Sequence, residues 1–100
     1  MNYNNNQKIN ICDLVLWEKP YPIEKGIVVC LIDEGKFIDN YDFTYLTNSG
    51  GGVMIFFEKM GLVQIMRDDM NINIELIKRL SMRDSKDLLE SFISNRDYIL

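Results

Sequence analysis

The stretch that most constrains the fold is an almost uninterrupted apolar run, "IVVCLID", at residues 27–33. Its β-branched residues favour a strand, and its lack of alternation is typical of a strand that is buried on both faces. The run is far too short to cross a bilayer, which takes about 20 residues. The sequence therefore predicts a sheet in which this strand is covered on both sides.

Four further segments have the composition of strands. "NICDLVLWE" precedes the apolar run and is joined to it by the proline-containing loop "KPYPIEKG". "FIDNYDFTYLT" alternates aromatic and polar residues with a period of two. "VMIFFE" and "LVQIMR" flank a short turn with Gly61 and predict a hairpin. Five strands are thus predicted between residues 11 and 67, a pattern typical of a meander or a small barrel.

The apolar spacing becomes helical after Arg67. Ser81 and Asp84 have the spacing of a capping box, which predicts that a helix starts after Ser81. We therefore expect two short C-terminal helices, at roughly 72–80 and 82–97. The residues that carry this spacing are Ile72, Leu76, Ile77, Leu80, Leu88, Leu89, Phe92, Ile93 and Leu100.

These elements predict an α+β fold, with a strongly bent five-stranded antiparallel sheet or an SH3-like small barrel followed by the two helices. At "CDLVLWEKPYPIEKGIVVCLID" the chain resembles the first strands of SH3-like small β-barrels, a resemblance that covers residues 11–67. The polar, Asn-rich start "MNYNNNQK" predicts a disordered tail over residues 1–8. Residues 9–100 are expected to form a single domain.

The charge balance restricts the class of partner. The formal net charge is −4, whereas a nucleic-acid-binding protein needs a basic surface to neutralise phosphates. An acidic surface instead suits a basic protein partner, although solubility alone also accounts for mild acidity. No secretory signal or membrane segment is evident, and Cys12 and Cys30 are expected to be buried free thiols. A cytoplasmic location is predicted.

Several kinds of catalytic site are excluded by the residues themselves. The chain has no histidine, which removes Ser-His-Asp and Cys-His nucleophile pairs and most catalytic zinc sites. The glycine run at residues 50–52 leads into a strand rather than a helix, so it predicts a bend or bulge and not a phosphate loop. "DMNINIE" has oxygen ligands at alternate positions, but a calcium loop that starts at Asp69 needs glycine at its sixth position and glutamate at its twelfth, where this chain has Ile74 and Leu80. We expect no metal, no cofactor and no enzymatic activity.

The strongest candidate for a binding surface is the segment of residues 33–45, called here the acidic-aromatic segment. Carboxylates and tyrosines together can grip a basic protein surface. A solvated turn is the plainer alternative, and a hydrolase that uses paired carboxylates is a remote one. The residues predicted to contact a partner are Asp33, Glu34, Asp39, Tyr41, Asp42 and Tyr45.

The last helix supplies a second candidate surface. Its apolar stripe is expected to pack on the sheet, but the same residues could form the seam of a homodimer. Those residues are Leu88, Leu89, Phe92 and Ile93.

In size, acidity and lack of a catalytic set, the chain resembles the small immunity proteins of bacterial polymorphic-toxin and contact-inhibition systems. That resemblance implies a cytoplasmic, non-enzymatic protein that occludes a toxin domain, often a nuclease. The sequence thus predicts a stoichiometric inhibitor of a basic protein. A self-associating structural or adaptor domain and a phage-encoded inhibitor of a host defence enzyme remain alternatives.

Overall fold

The computed structural model describes residues 1–18, 23–69 and 73–97. These ranges contain six strands, two short 3₁₀ turns and one α-helix. The strands are β1 (Asp13–Trp17), β2 (Glu24–Leu31), β3 (Lys36–Phe37), β4 (Val53–Phe57), β5 (Gly61–Ile65) and β6 (Ile74–Arg79). The 3₁₀ turns are Ile32–Glu34 and Thr44–Asn48, and the helix, α1, is Met82–Asp97.

The strands form one antiparallel sheet in the order β5-β4-β2-β1-β6. The two-residue strand β3 pairs with Cys30 and Leu31, at the end of β2 that extends beyond β1. The α+β class is therefore confirmed, as is the β4–β5 hairpin. The sheet has six strands rather than five, and it is open, with β5 and β6 at its ends, rather than closed as a barrel.

The central strand β2 is buried on both faces, as its apolar run predicts. Ile27, Val28 and Val29 are each 0% exposed, and alternate members enter different core clusters. A register irregularity against β4 between Val28 and Cys30 places Val29 and Cys30 in the same cluster. Such a sheet needs a cover on each face.

One cover is α1 together with residues 38–46. Leu89 and Phe92 of α1 are almost fully buried, and Phe92 stacks on Phe56 of β4 with ring centroids 6.3 Å apart. Ser81 accepts a hydrogen bond from the Asp84 backbone N–H at 3.1 Å, so the predicted helix cap is confirmed. This face holds the second core cluster, which also includes Ile27, Val29, Cys30 and Ile38.

The other cover is the N-terminal segment, which the sequence predicts to be a disordered tail. In the structure Tyr3 and Ile9 are buried against the cluster that contains Val15, Val28 and Phe57. A polar starting sequence does not reveal this packing, because within residues 1–8 Tyr3 is the one fully buried side chain and Met1 is only partly buried.

A buried polar cluster fastens this cover to β1. The Tyr3 hydroxyl donates to Asp13 at 2.7 Å, and Arg79 of β6 approaches the same carboxylate at 3.2 Å. The Asn10 backbone N–H donates to Asp13 as well, at 2.9 Å. Asp13 is 1% exposed, and a buried carboxylate needs such partners. Burial and the neighbouring carboxylate raise the pKa of Tyr3, so this hydroxyl remains a donor.

The predicted helix over residues 72–80 is wrong, because Ile74–Arg79 is strand β6 and pairs with β1. Ile74 and Leu76 face the core, whereas Ile77 is 49% exposed. Leu76 and Leu80 have helical spacing, but residues 74 and 76 also fit the two-residue period of a strand. Only the pairing with β1 decides between the two periods. Ile72 and Leu100, and residues 19–22 of the predicted loop, lie outside the described residues.

The predicted strand over residues 37–47 is also wrong beyond Phe37. Asn40 adopts φ +76°, in the left-handed region that asparagine tolerates, and the Tyr41 N–H donates to the Ile38 carbonyl at 2.9 Å. A turn therefore interrupts the alternating pattern. The 3₁₀ turn at Thr44–Asn48 follows it.

The role of Tyr3 can be tested by truncation. Tyr3→Phe removes the hydroxyl that Asp13 accepts from, and we expect the free energy of unfolding to fall by about 1–2 kcal/mol. Tyr3→Ala also opens a cavity and should cost about 3–5 kcal/mol. Urea denaturation measures both losses. Gln7→Ala is the control, because Gln7 is exposed and its substitution should change the free energy of unfolding by less than about 0.5 kcal/mol. If Tyr3→Ala unfolds at the wild-type urea midpoint, residues 1–8 are the disordered tail that the sequence suggests.

Candidate binding surface

The acidic-aromatic segment crosses the face of the sheet that α1 also covers. It is anchored at Ile38, which is 1% exposed and whose N–H donates to the Val29 carbonyl at 2.9 Å. Phe43 and Leu46 are half-buried and pack against the second core cluster. The apolar side chains of the segment thus hold it against the sheet, and its polar side chains lie on the side away from this contact.

Asp33 is part of a link within the chain. Arg67 donates two hydrogen bonds to its carboxylate, from Nη2 to Oδ1 at 2.7 Å and from Nε to Oδ2 at 3.2 Å. The Gly52 N–H also donates to Oδ2 at 3.0 Å. The bonds from Arg67, followed by the one from Gly52, lower the pKa of Asp33 below its ordinary value. This carboxylate connects three parts of the chain and has few acceptor positions left for a partner.

Glu34 is engaged in the same way. Lys8 of the N-terminal segment donates to its carboxylate at 2.8 Å, and this hydrogen bond is the main reason that the pKa of Glu34 lies below its ordinary value. The pair links the N-terminal segment to the 3₁₀ turn Ile32–Glu34. Because it is partly exposed, it adds little to stability on its own.

Asp42 shapes the segment locally. Its Oδ1 accepts from the Thr44 N–H at 3.0 Å and from the Thr44 hydroxyl at 2.6 Å, which forms a local turn at the start of residues 44–48. These bonds lower the pKa of Asp42. The second carboxylate oxygen has no hydrogen bond among those described, and the side chain is exposed.

Asp39 and Tyr41 lie at a groove between the segment and α1. The groove has a volume of about 310 Å³, with Ile38 and Leu89 among its lining residues. Asp39 is the more exposed of the two, and its only described ion pair is with Lys86 of α1 at 3.4 Å. Burial raises the pKa of Tyr41, whose ring meets Phe56 edge to face at 6.1 Å. This combination is an acidic rim above an apolar floor.

Tyr45 is the most exposed large apolar side chain of the described residues. It is 72% exposed, and its ring lies 6.3 Å from that of half-buried Phe43. An exposed tyrosine beside a second ring offers both apolar area and a hydroxyl to a partner. The structure thus leaves Asp39, Asp42 and Tyr45 on the surface and Tyr41 in the groove, while Asp33 and Glu34 serve internal contacts.

The glycine run at residues 50–52 is a fixed bend. All three glycines have positive φ, from +55° at Gly51 to +100° at Gly50. Arg67 lies over this bend, where its Nη2 also donates to the Thr47 carbonyl at 2.6 Å. A side chain at Gly52 would overlap the Ile65 carbonyl oxygen. The run is therefore needed for close packing, and no phosphate cradle is formed.

The proposed seam on α1 is largely internal. Leu89 and Phe92 are 3% and 1% exposed, so they belong to the core while the helix is packed. Leu88 is half-buried and Ile93 is 41% exposed. In this conformation Leu88 and Ile93 are the two of the four whose side chains reach the surface, and the homodimer seam stays a prediction.

Sequence reasoning missed one buried acidic side chain that shapes the hairpin. Glu24 is 5% exposed and accepts from the backbone N–H groups of Lys59 and Met60 at 2.6 and 2.9 Å. It thereby closes the turn between β4 and β5. No local signal could have found it, because its partners are 35 and 36 residues away.

The remaining reactive side chains form no site. Cys12 and Cys30 are buried free thiols, and burial raises the pKa of Cys30. In the part of the chain that the structure describes, no group of three or more His, Cys, Asp or Glu side chains could hold a metal ion. No helix within the same residues is long and apolar enough to cross a membrane.

Comparisons of this chain with protein-family models, with curated proteins and with solved structures find no match. The functional argument therefore depends on the geometry of the chain itself.

The glycine bend can be tested with a matched pair of substitutions. Gly35→Ala and Gly52→Ala each place a methyl group at positive φ, but nothing lies within 4 Å of the new carbon at Gly35. We expect Gly35→Ala to cost about 1–2 kcal/mol of unfolding free energy, which is the conformational term alone. Gly52→Ala should cost about 2–4 kcal/mol because overlap is added. Equal losses in urea denaturation would show that the bend is not closely packed.

The Asp33–Arg67 pair predicts a pH dependence. Because the folded-state pKa of Asp33 is lowered, its contribution to stability is present above the ordinary aspartate pKa and is lost as pH falls through the folded value. Asp33→Asn should therefore be less stable than wild type at neutral pH, and the difference should shrink on acidification. Urea denaturation at a series of pH values measures this difference. A gap that stays constant as the pH falls would contradict the assignment.

Proposed function

We propose that this chain is a non-enzymatic binding protein that inhibits a basic protein by occupying its surface in a one-to-one complex. The observation that carries the proposal is the arrangement of Asp39, Asp42 and Tyr45. These side chains are exposed on a segment whose backbone is anchored through Ile38. A partner would meet a surface that is already ordered, so little conformational entropy would be lost on binding.

The charges of this surface favour a cationic partner. Asp39 is 82% exposed at its side chain, and its ion pair with Lys86 is long and exposed. Such a pair contributes little, so a lysine or arginine of the partner could replace Lys86 at small cost. Asp42 has one carboxylate oxygen without a described bond, and Glu90 of α1 lines the same groove as Asp39.

The aromatic side chains would supply the anchors. Tyrosine gives a large contact area for few rotatable bonds, and it is enriched among the residues that dominate binding energy. Tyr45 projects from the 3₁₀ turn, while Tyr41 lies at the groove with the apolar side chains of Ile38 and Ile93. The aliphatic part of a lysine or arginine side chain would fit such a floor, with its charge at the acidic rim.

A toxin domain such as a nuclease is the partner class that we favour. Nucleic-acid-binding enzymes present basic surfaces, and an acidic inhibitor that covers such a surface blocks the substrate directly. The sequence has no histidine, and its two cysteines are buried, so the proposal requires no catalytic group in this chain.

The proposal is tested by capture followed by titration. Tagged protein is used to isolate a partner from the source cell, and the purified partner is then assayed for binding stoichiometry and for its own activity. We expect a basic protein that binds one-to-one, loses its activity when bound and is released by high salt. Retention of no basic protein, or a bound protein that stays fully active, would refute inhibition.

Two substitutions test the surface itself. Asp39→Lys should weaken binding by at least about tenfold, or about 1.4 kcal/mol, and Tyr45→Ala should do the same. Glu75→Lys is the control, since it makes the same change in net charge at an exposed position on β6. Thermal unfolding of each variant verifies folding. If Asp39→Lys and Glu75→Lys weaken binding equally, only net charge matters and the surface is misassigned.

A further inference from the structure

The two ends of the open sheet differ in their protection against pairing with another strand. Natural proteins place charged residues on exposed edge strands, because an unpaired edge is a template for another strand. β6 follows this rule with Glu75, Lys78 and Arg79. β5 and its neighbours, "MGLVQIM" at residues 60–66, carry no charge at all.

The hydrogen bonds of β4 show which backbone groups of β5 face outward. The Glu58 N–H donates to Lys25 at 3.0 Å, and the Gly52 carbonyl accepts from Ile32 at 2.9 Å. Even-numbered backbone groups of β4 therefore point toward β2, and odd-numbered ones point toward β5. Ile55 is paired with Val63. The odd-numbered groups of β5 thus point back to β4, and those of Leu62 and Gln64 point away from the sheet.

Both ends of this outward edge are closed by the chain itself. The Met66 N–H donates to the Asp69 carboxylate at 2.9 Å, and the Met66 carbonyl accepts from the Asp69 N–H at 3.0 Å. The Met60 N–H is bonded to Glu24. Among the described residues, Leu62 and Gln64 are therefore the positions of this edge at which neither the N–H nor the C=O has a described bond, which gives four open groups at these two residues.

We propose that β5 pairs with β5 of a second copy of this chain, antiparallel and about a two-fold axis at Val63. In this register Leu62 lies opposite Gln64 of the second copy, and Gln64 lies opposite its Leu62. Each of these pairs exchanges two hydrogen bonds, so all four open groups on each chain are used. The arrangement is isologous, as in most homodimers.

The neighbouring registers are worse because they meet the closed ends. If Leu62 lay opposite Leu62 of the second copy, Gln64 would face Met60, whose N–H is already bonded. If Gln64 lay opposite Gln64, Leu62 would face Met66, whose N–H and C=O are both in use. The contacts that close the edge therefore also select the register.

The side chains fit the same two-fold axis. Met60 and Met66 are 47% and 46% exposed, and the pairing sets Met60 of one chain opposite Met66 of the other. Leu62, which is 45% exposed, lies on the same face and next to this methionine pair. On the opposite face Val63 meets its own copy, a favourable β-branched pair. The pairing uses one five-residue strand and four backbone hydrogen bonds in all, whereas stable complexes typically bury roughly 1,200 Å² or more, so we expect a weak dimer that forms at high protein concentration.

Sedimentation and amide hydrogen exchange of the purified chain test this pairing. With rising concentration the mean mass should move from one chain toward two, and the amides of Leu62 and Gln64 should become protected. The Val63 amide serves as an internal control, because it already faces β4 and should not change. A mass of one chain at every concentration overturns the proposal, as does association that leaves Leu62 and Gln64 unprotected.

A matched pair of variants separates this edge from the opposite one. Leu62→Lys and Ile77→Lys introduce the same charge at similarly exposed apolar positions, on β5 and β6 respectively. Leu62→Lys should remain a single chain at concentrations where wild type and Ile77→Lys associate. Association of Leu62→Lys equal to that of wild type overturns the proposal. The pairing uses no residue of the acidic-aromatic segment, so its failure leaves the proposed function untouched.

Discussion

The burial of β2 on both of its faces is the constraint on which the rest of the structure depends. Burying a valine or isoleucine side chain contributes about 1.5–3 kcal/mol, and four consecutive residues of this strand, Ile27, Val28, Val29 and Cys30, are fully buried. The described residues form a single sheet, so its covers come from other parts of the chain. The N-terminal segment covers one face, and α1 with residues 38–46 covers the other.

Hydrogen bonds and ion pairs from buried or partly exposed carboxylates fix the N-terminal segment and two turns to the rest of the fold. Asp13 ties the N-terminal segment to β1 and β6 through Tyr3 and Arg79, and Asp33 ties the glycine bend to Arg67. Glu24 closes the β4–β5 turn. Asp13 and Glu24 are buried, and their carboxylates are paired because an unpaired charge in the core would be costly. Asp39 and Asp42 stay exposed, and we propose that they are the carboxylates that meet a partner.

The sequence predicts correctly those elements that depend on residues close together in the chain. The apolar run of β2, the hairpin at Gly61 and the cap at Ser81 each depend on residues close together in the chain. β6 was mistaken for a helix because its apolar spacing fits both periods, and only pairing with β1 resolves the choice. The acidic-aromatic segment was predicted from composition, but the internal roles of Asp33 and Glu34 depend on Arg67 and Lys8, which are 34 and 26 residues away.

The central claim is that residues 38–46 are an ordered cover and hence a preformed binding surface. The most direct test is amide hydrogen exchange of the free protein at this segment. The account predicts slow exchange at Ile38, Tyr41 and Leu46, whose N–H groups donate to the carbonyls of Val29, Ile38 and Phe43. Exchange of these amides at the rate of an unstructured peptide would contradict it, because the surface would then form only when a partner binds.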